Sequence, residues 1–411
     1  RWCWRCGRRR RGSPASARRA GRPGSIRWRR CGPTEAGRAS RARGEYPVHG
    51  SSGARVAPTS AAAIPGALDL LIRKAASQER WRAILTPYER PDNRRSLLQL
   101  AVTLVLYGAA WALLLRSVEV GYWATAIVAL PAAGLMVRLI IIQHDCSHGS
   151  YFTSQRVCNA VGTVVAMLSL TPYDYLKRIH VAHHAHSGNL DRRAGGDIPT
   201  LTVAEYAALG WWRRLGYRLI RNPFVLMGVL TPLQFVVVHR FPWGMPRSWT
   251  REWRSVWGTN AALAAVLVGI WLVVGVERLE QILIIQGMIM LYGGAFAGWL
   301  THTQHQFEDA YWHRFGAWDY FDAGLQGASW LALPKPLQWL TASIGLHHVH
   351  HLSTRIPNYR LQRCHDENPE LWSAHRITLR DGFKALNLAL WDERGGKLIS
   401  FGEYRRLAQS T

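Results

Sequence analysis

Histidine is the residue type that could carry chemistry in this sequence: 17 of 411 residues are His, and most fall in four short clusters. His144 and His148 stand in HDCSH, His180, His183 and His184 in HVAHH, His302 and His305 in HTQHQ, and His347, His348, His350 and His351 in HHVHH. Spacings of three and four residues put side chains on one face of a helix, so each cluster can aim several imidazoles at one place. A lone histidine is usually a satisfied polar group, but nine or more converging rings are a different problem. Without a metal each needs a hydrogen-bond partner at a half-buried position, and protonated rings repel one another. A metal removes both costs by binding the neutral rings. One zinc takes three or four ligands, whereas nine suit two ions a few ångströms apart, each with an open coordination position. Imidazole by itself accommodates Zn, Cu, Fe or Ni.

The elements that must position these clusters are legible from hydropathy. Leu97 to Leu115 is an apolar run broken only by Gln99, Thr103 and Gly108, close to the roughly 20 residues that span a bilayer as a helix. A second span covers Gly121 to Ile142, with Pro131 and one charge, Arg138, inside it. Thr259 to Val276 and Ile282 to Leu300 repeat the plan after the link Glu277 to Gln281. The expected fold is an all-α integral membrane protein: four transmembrane helices in two hairpins (97–115, 121–142, 259–276, 282–300) and a cytoplasmic helical cap, 301–411. Two shorter apolar runs, 157–170 and 224–238, read as interfacial helices. The two short links carry only Arg116 and Arg278 as bases, so positive-inside topology puts both termini and all four clusters in the cytoplasm.

Location then narrows the metal. An ion pair at the cytoplasmic end of a membrane bundle suits a substrate arriving from the acyl region, where C–H bonds call for activated oxygen and hence iron. HxxxH at His144 and His148, HxxHH at His180 to His184 and HxxHH at His347 to His351 follow one another in an order that resembles the membrane fatty acid desaturases, the di-iron histidine-box superfamily. The flanking text LTPYDYLKRIHVAHHAHSGNLDRR, HTQHQFEDAYW and IGLHHVHHLSTRIPNYRLQRCH is similar to bacterial acyl-lipid desaturases of the omega-6, or Δ12, kind. The resemblance runs from about Leu97 to Cys364. It implies two iron ions on His144, His148, His180, His183, His184, His305, His347, His350 and His351, with His302 the rival of His305. It also implies O2 as co-substrate and a cis double bond introduced into an acyl-lipid. Hydrogen bonds that orient the ligands would come from Asp145, Asn189, Asp191, Glu308 or Asp309. A hydroxylase or ketolase of the same superfamily, acting on alkanes, carotenoids or sterols, is the nearest alternative, because both reactions share the first hydrogen abstraction.

Several absences complete the expectation. The third box opens with His347 where front-end desaturases carry Gln, no HPGG haem motif occurs, and no GxGxxG is present. Electrons would come from a separate ferredoxin or cytochrome b5. The formal charge of +25 is concentrated: residues 1–60 hold 16 Arg against Glu35 and Glu45, 14 of the 25 excess charges. That head is Arg, Gly, Ser, Ala and Pro rich without apolar periodicity, so it is expected to be a disordered or extraneous extension. The rest is an apolar protein with basic loops, a composition that excludes a soluble nucleic-acid binder. The CxxC of Cys3 and Cys6 lacks a second pair at zinc-ribbon spacing. Residues 61–96 read as a cytoplasmic segment whose stretch from Pro65 to Leu85 is an amphipathic helix on the membrane before the first span.

Overall fold

The computed structural model describes residues 67–193 and 196–410; the basic head, with its CxxC, lies outside the described residues. Of the stretch expected to be an amphipathic helix, the described part forms α1, Ala67–Leu85, whose Trp81, Ile84 and Leu85 pack with Tyr88. Asp92 then caps α2, Asn93–Ser117, by accepting hydrogen bonds from the backbone N–H groups of Arg94 and Arg95 at 3.0 and 3.2 Å. That satisfies two of the donors a helix start leaves orphaned. A short turn leads to α3, Tyr122–His148. The two helices run antiparallel, since Ser117 donates to Thr125 near the turn (3.1 Å) and Arg138 Nε donates to Thr103 Oγ1 further along (3.1 Å). Gly149, at φ 73°, stops α3 one residue after His148, a left-handed position that glycine takes without penalty.

Next come α4, Gln155–Leu168, and α5, Tyr173–His186. Residues 223–240 form one continuous helical segment, α6, with a π turn at Leu226–Leu230 and a final 3-10 turn at Val238–Arg240. The next helix, α7, covers Thr250–His305. As a straight rod its 56 residues would reach about 84 Å, far beyond a bilayer core of about 30 Å. It is not straight: Gly275, at φ 77° and ψ 177°, is non-helical and divides it. The expected span 282–300 falls on its second limb, and 259–276 runs along the first and ends one residue past the break. The break falls at Gly275, two residues before the expected link 277–281, whose own residues are helical. Glu277 and Glu280 sit just after the break, where the N-terminal end of a helix favours negative charge. Asn260 on the first limb bonds Arg240, which itself reaches the Leu170 carbonyl, while Gln286 on the second limb reaches the Leu168 carbonyl at 3.5 Å. Residues 26 apart in sequence thus meet the same short turn.

Among the described residues, α2, α3, α6 and α7 are the helices long and apolar enough to cross a membrane. The run 224–238, expected to be interfacial, is thus part of a helix of spanning length, because Asn222 caps its start and the helix extends through Arg240. Small residues let α7 approach its neighbours: a Cβ on Gly294 would lie 2.8 Å from the Pro232 Cα, and one on Gly298 would lie 2.4 Å from Thr231.

The protein is mostly helical, but the all-α expectation fails: the described residues include two small sheets. β1, Leu201–Thr202, pairs in parallel with β4, Leu388–Asp392, which pairs antiparallel with β5, Lys397–Ser400. β2, Trp330–Ala332, pairs in parallel with β3, Arg376–Thr378. Gly396 at φ 62° reverses the chain between β4 and β5, and Leu390, Trp391, Leu398 and Ile399 are buried. Those strands are too short and too irregular to show a period of two in the sequence. Beyond α7 lie α8, His347–Leu352, and α9, Asn358–Glu367. Trp299, Leu300, Phe307, Trp312, Leu331 and Ile377 form one core that joins the end of α7 to these sheets.

Candidate metal centre

Each histidine cluster sits on a helix, as its spacing requires. His144 and His148 occupy the last turn of α3, His180, His183 and His184 the second half of α5, His305 the last residue of α7, and His347, His350 and His351 the short helix α8. The four helices converge so that nine imidazoles form two groups. One holds His144, His148, His180, His184 and His350; the other holds His183, His305, His347 and His351, and within each group the candidate ligand atoms all lie within 4.8 Å of one another. The groups adjoin, with the His184 and His351 rings 4.2 Å apart between centroids.

The distances fit ligands around an ion. His180 and His184 have Nε2 atoms 3.0 Å apart, His184 and His350 3.1 Å, His305 and His347 3.0 Å, and His347 and His351 3.1 Å. A metal–nitrogen bond of about 2.1 Å places neighbouring ligands at right angles about 3.0 Å apart. Hydrogen bonding between rings does not account for the pair of His183 and His305. His183 Nδ1 bonds the Asp197 carboxylate, and His305 Nδ1 donates to the Gly327 carbonyl at 3.1 Å. Both rings have then placed their proton on Nδ1, yet their Nε2 lone pairs face each other at 3.2 Å. A cation between them resolves that repulsion. In the first group, His144 Nδ1 points to Asp145 Oδ1 at 3.1 Å, and the buried Nε2 atoms of His144 and His148 have no partner among the described residues. Burial, then the charge of neighbouring rings, holds His180, His184, His347, His350 and His351 well below the ordinary histidine pKa. The rings are therefore neutral at pH 7, the form that binds metal.

Residues 120–383, which include every cluster, match the family model for Fatty acid desaturase. The chain belongs to the fatty acid desaturase family. A "Fatty acid desaturase" of Bacillus subtilis (strain 168) is 37% identical over 337 residues, covering 82% of this chain and 94% of that protein. The "sn-1 oleoyl-lipid 12-desaturase" of Anabaena variabilis is 26% identical over 283 residues (64% and 77%). The chloroplastic "sn-2 acyl-lipid omega-3 desaturase (ferredoxin)" of Helianthus annuus is 26% identical over 259 residues (58% and 53%). This protein is thus a membrane enzyme of lipid metabolism.

Among the residues expected to support the desaturase site, Asp145 does touch it. It is buried, and while Oδ1 faces His144, Oδ2 accepts from the backbone and side-chain N–H groups of Asn358 at 2.7 and 2.8 Å. The other four are engaged elsewhere. Asn189 accepts from the Asp191 backbone, Asp191 pairs with Arg314, Glu308 with Lys397, and Asp309 lies 3.8 Å from His375. His302 is buried outside both groups, whereas His305 stands within one. His348 pairs with His365 at 3.2 Å. Sequence reading missed Asp197, the Gly327 carbonyl and Asn358. Asp197 follows Gly195 and Gly196, a turn signal beside an acid 14 residues beyond His183, but spacing alone does not bring it back to the ring. A cleft lined by Asp197, Ser187, Ile198, Thr301, Gln306 and Trp312 opens onto His183 and His305.

Proposed function

We propose that each histidine group holds one iron ion and that the enzyme uses O2 and two externally supplied electrons to place a cis double bond in an acyl-lipid, with omega-6 (Δ12) regiochemistry. The observation that carries this reading is the facing pair of His183 and His305 Nε2 lone pairs at 3.2 Å. Bound iron would supply the oxygen chemistry for the net conversion of R–CH2–CH2–R′, O2, two electrons and two protons into R–CH=CH–R′ and two waters. The chain's own task is to hold the ligands. Asp197 and the Gly327 carbonyl fix the tautomers of His183 and His305, and Asp145, itself held by Asn358, fixes His144. Burial of the rings keeps bulk water from competing for the ligand atoms.

We read α2 with α3, and the two limbs of α7, as two membrane hairpins whose cytoplasmic ends carry the site. The contact of Gln286 with the turn at Leu168–Leu170, and that of Asn260 with Arg240, which bonds the same turn, support the second. The electron donor is a separate ferredoxin or cytochrome b5, the former named in the sunflower relative. The Δ12 assignment leans on the similarity to the cyanobacterial sn-1 oleoyl-lipid 12-desaturase. The test is gas chromatography with mass spectrometry of lipid methyl esters from a bacterial host expressing the full chain, with an added start codon, beside a ferredoxin system. New esters two hydrogens lighter, with derivatised fragments locating the bond at Δ12, are expected. Oxygen-bearing esters would establish a hydroxylase instead.

A further inference from the structure

Among the described residues, three that are not glycine adopt positive φ: Leu170 (55°), Ala342 (46°) and Ser343 (62°). L side chains reach that region only under constraint, and such strain collects at sites that need fixed geometry. All three lie in the turns that lead into histidine-bearing helices. Leu170 precedes α5 by three residues, and Ala342 and Ser343 stand just before His347 of α8.

Each turn is gripped in the same manner, by one arginine and one glutamine donating to its backbone carbonyls. Arg240 bonds the Leu170 carbonyl, and Gln286 Nε2 reaches the Leu168 carbonyl at 3.5 Å. At the other turn Arg138 bonds the Trp339 carbonyl and lies over the Trp339 ring at 4.2 Å, while Gln304 Nε2 donates to the Ile344 carbonyl at 3.1 Å. Both glutamines come from the second limb of α7. The second turn is also tightly seated: Leu331 N–H donates to the Gly345 carbonyl at 2.8 Å, and a Cβ on Gly345 would lie 2.7 Å from the Leu331 carbonyl.

Arg138 is the most telling member. It is 6% exposed inside a membrane-spanning helix, where a cation is expensive and marks a functional task. Its guanidinium is held by a hydroxyl, a carbonyl and an indole. It stands six residues before His144, and Gln304 immediately precedes His305. The grips on the second turn therefore come from the same two helices, α3 and α7, that carry His144, His148 and His305.

We propose that Arg138 and Gln304 are positioning residues for the metal centre: together they hold the strained Ala342–Ser343 turn and thereby keep His347, His350 and His351 in register with the histidines of α3 and α7. This rests on the metal-site reading above. Released from either grip, the turn relaxes toward negative φ and displaces α8, whereas metal–ligand distances tolerate only about 0.2 Å.

The test is Co(II) titration of the purified, chelator-stripped full chain, followed by its visible ligand-field band, alongside thermal unfolding of the metal-free protein. Arg138→Met and Gln304→Met should each weaken Co(II) binding about 10- to 100-fold. Glycine relieves the strain, so Ala342→Gly with Ser343→Gly should recover about fivefold or more in either variant while changing the otherwise wild-type protein less than about twofold, a coupling between contacting sites. Should Arg138→Met fail to insert, Gln304→Met carries the same cycle without removing a charge. Unchanged Co(II) affinity in the inserted variants, or glycine effects equal in both backgrounds, would overturn the positioning role. Failure of the wild-type chain to bind Co(II) would instead sink the metal site itself.

Discussion

Replacing Asp145 with Asn keeps the shape of the side chain and changes only what it can accept. In the native protein one carboxylate oxygen faces His144 Nδ1 at 3.1 Å and the other accepts two N–H bonds from Asn358 at 2.7 and 2.8 Å. An amide has one oxygen and one NH2. Turning the NH2 toward Asn358 would set it against two N–H donors and forfeit two neutral hydrogen bonds worth about 0.5–1.5 kcal/mol each, so the oxygen stays there and the NH2 faces His144. His144 Nδ1 must then accept, its proton moves to Nε2, and the nitrogen that points at the five-histidine group is no longer a ligand. Loss of such an orienting partner costs about 10- to 100-fold in metal affinity, or about 1.4–2.7 kcal/mol. Metal titration of purified Asp145→Asn, with desaturated esters quantified in parallel, should show one of two binding events weakened by that factor and the product reduced. Wild-type affinity for both ions with wild-type product would refute the tautomer argument.

Substituting His350 with Ala should abolish new unsaturated esters while the protein still inserts, checked by membrane fractionation; retained product would remove His350 from the site. Gly294→Val puts side-chain atoms where a Cβ already lies 2.8 Å from the Pro232 Cα, so a loss of about 1–3 kcal/mol is expected from overpacking, read as a lower unfolding temperature in detergent; an unchanged temperature would show that α6 and α7 are not so closely packed. The pKa values of His180, His184, His347, His350 and His351 are depressed on folding, so below about 6.5 the unfolded chain binds protons that the folded, metal-free chain does not. Stability of the chelated protein should therefore be full above that pH and fall by up to about 1.4 kcal/mol per pH unit per histidine below it; thermal unfolding at pH 7.5 and 5.5 measures this, and equal temperatures would argue against five buried neutral rings.

The nine histidines were legible because three- and four-residue spacing survives any packing: a helix puts those residues on one face wherever it goes. The apolar runs behind α2, α3 and the limbs of α7 were legible for a similar reason, since a bilayer selects length and hydropathy. What escaped depends on backbone torsion or on contacts distant in sequence. The break of α7 is one glycine at φ 77° among several in that helix, and nothing in composition distinguishes Gly275 from Gly269 or Gly287. The small sheets depend on β4 finding β1 nearly 190 residues earlier. Asp197 and Asn358 act across folds of the chain, whereas of the polar groups close to the boxes in sequence, Asn189 is buried on the Asp191 backbone and Asp191, Glu308 and Asp309 turn toward Arg314, Lys397 and His375. Proximity in sequence was a poor guide to which polar groups support a ligand. Arg138 was visible as a lone charge in a span, yet its use became clear only once Trp339 and the strained turn were beside it.

The account stands most directly on the metal content of the protein. Elemental analysis of the anaerobically purified full chain, reconstituted with ferrous iron, should find two irons per chain, with one lost when His305 and His347 are both replaced by Ala. Two irons that persist in that double variant, a single iron in the wild type, or none at all would contradict a centre built from two adjoining histidine groups.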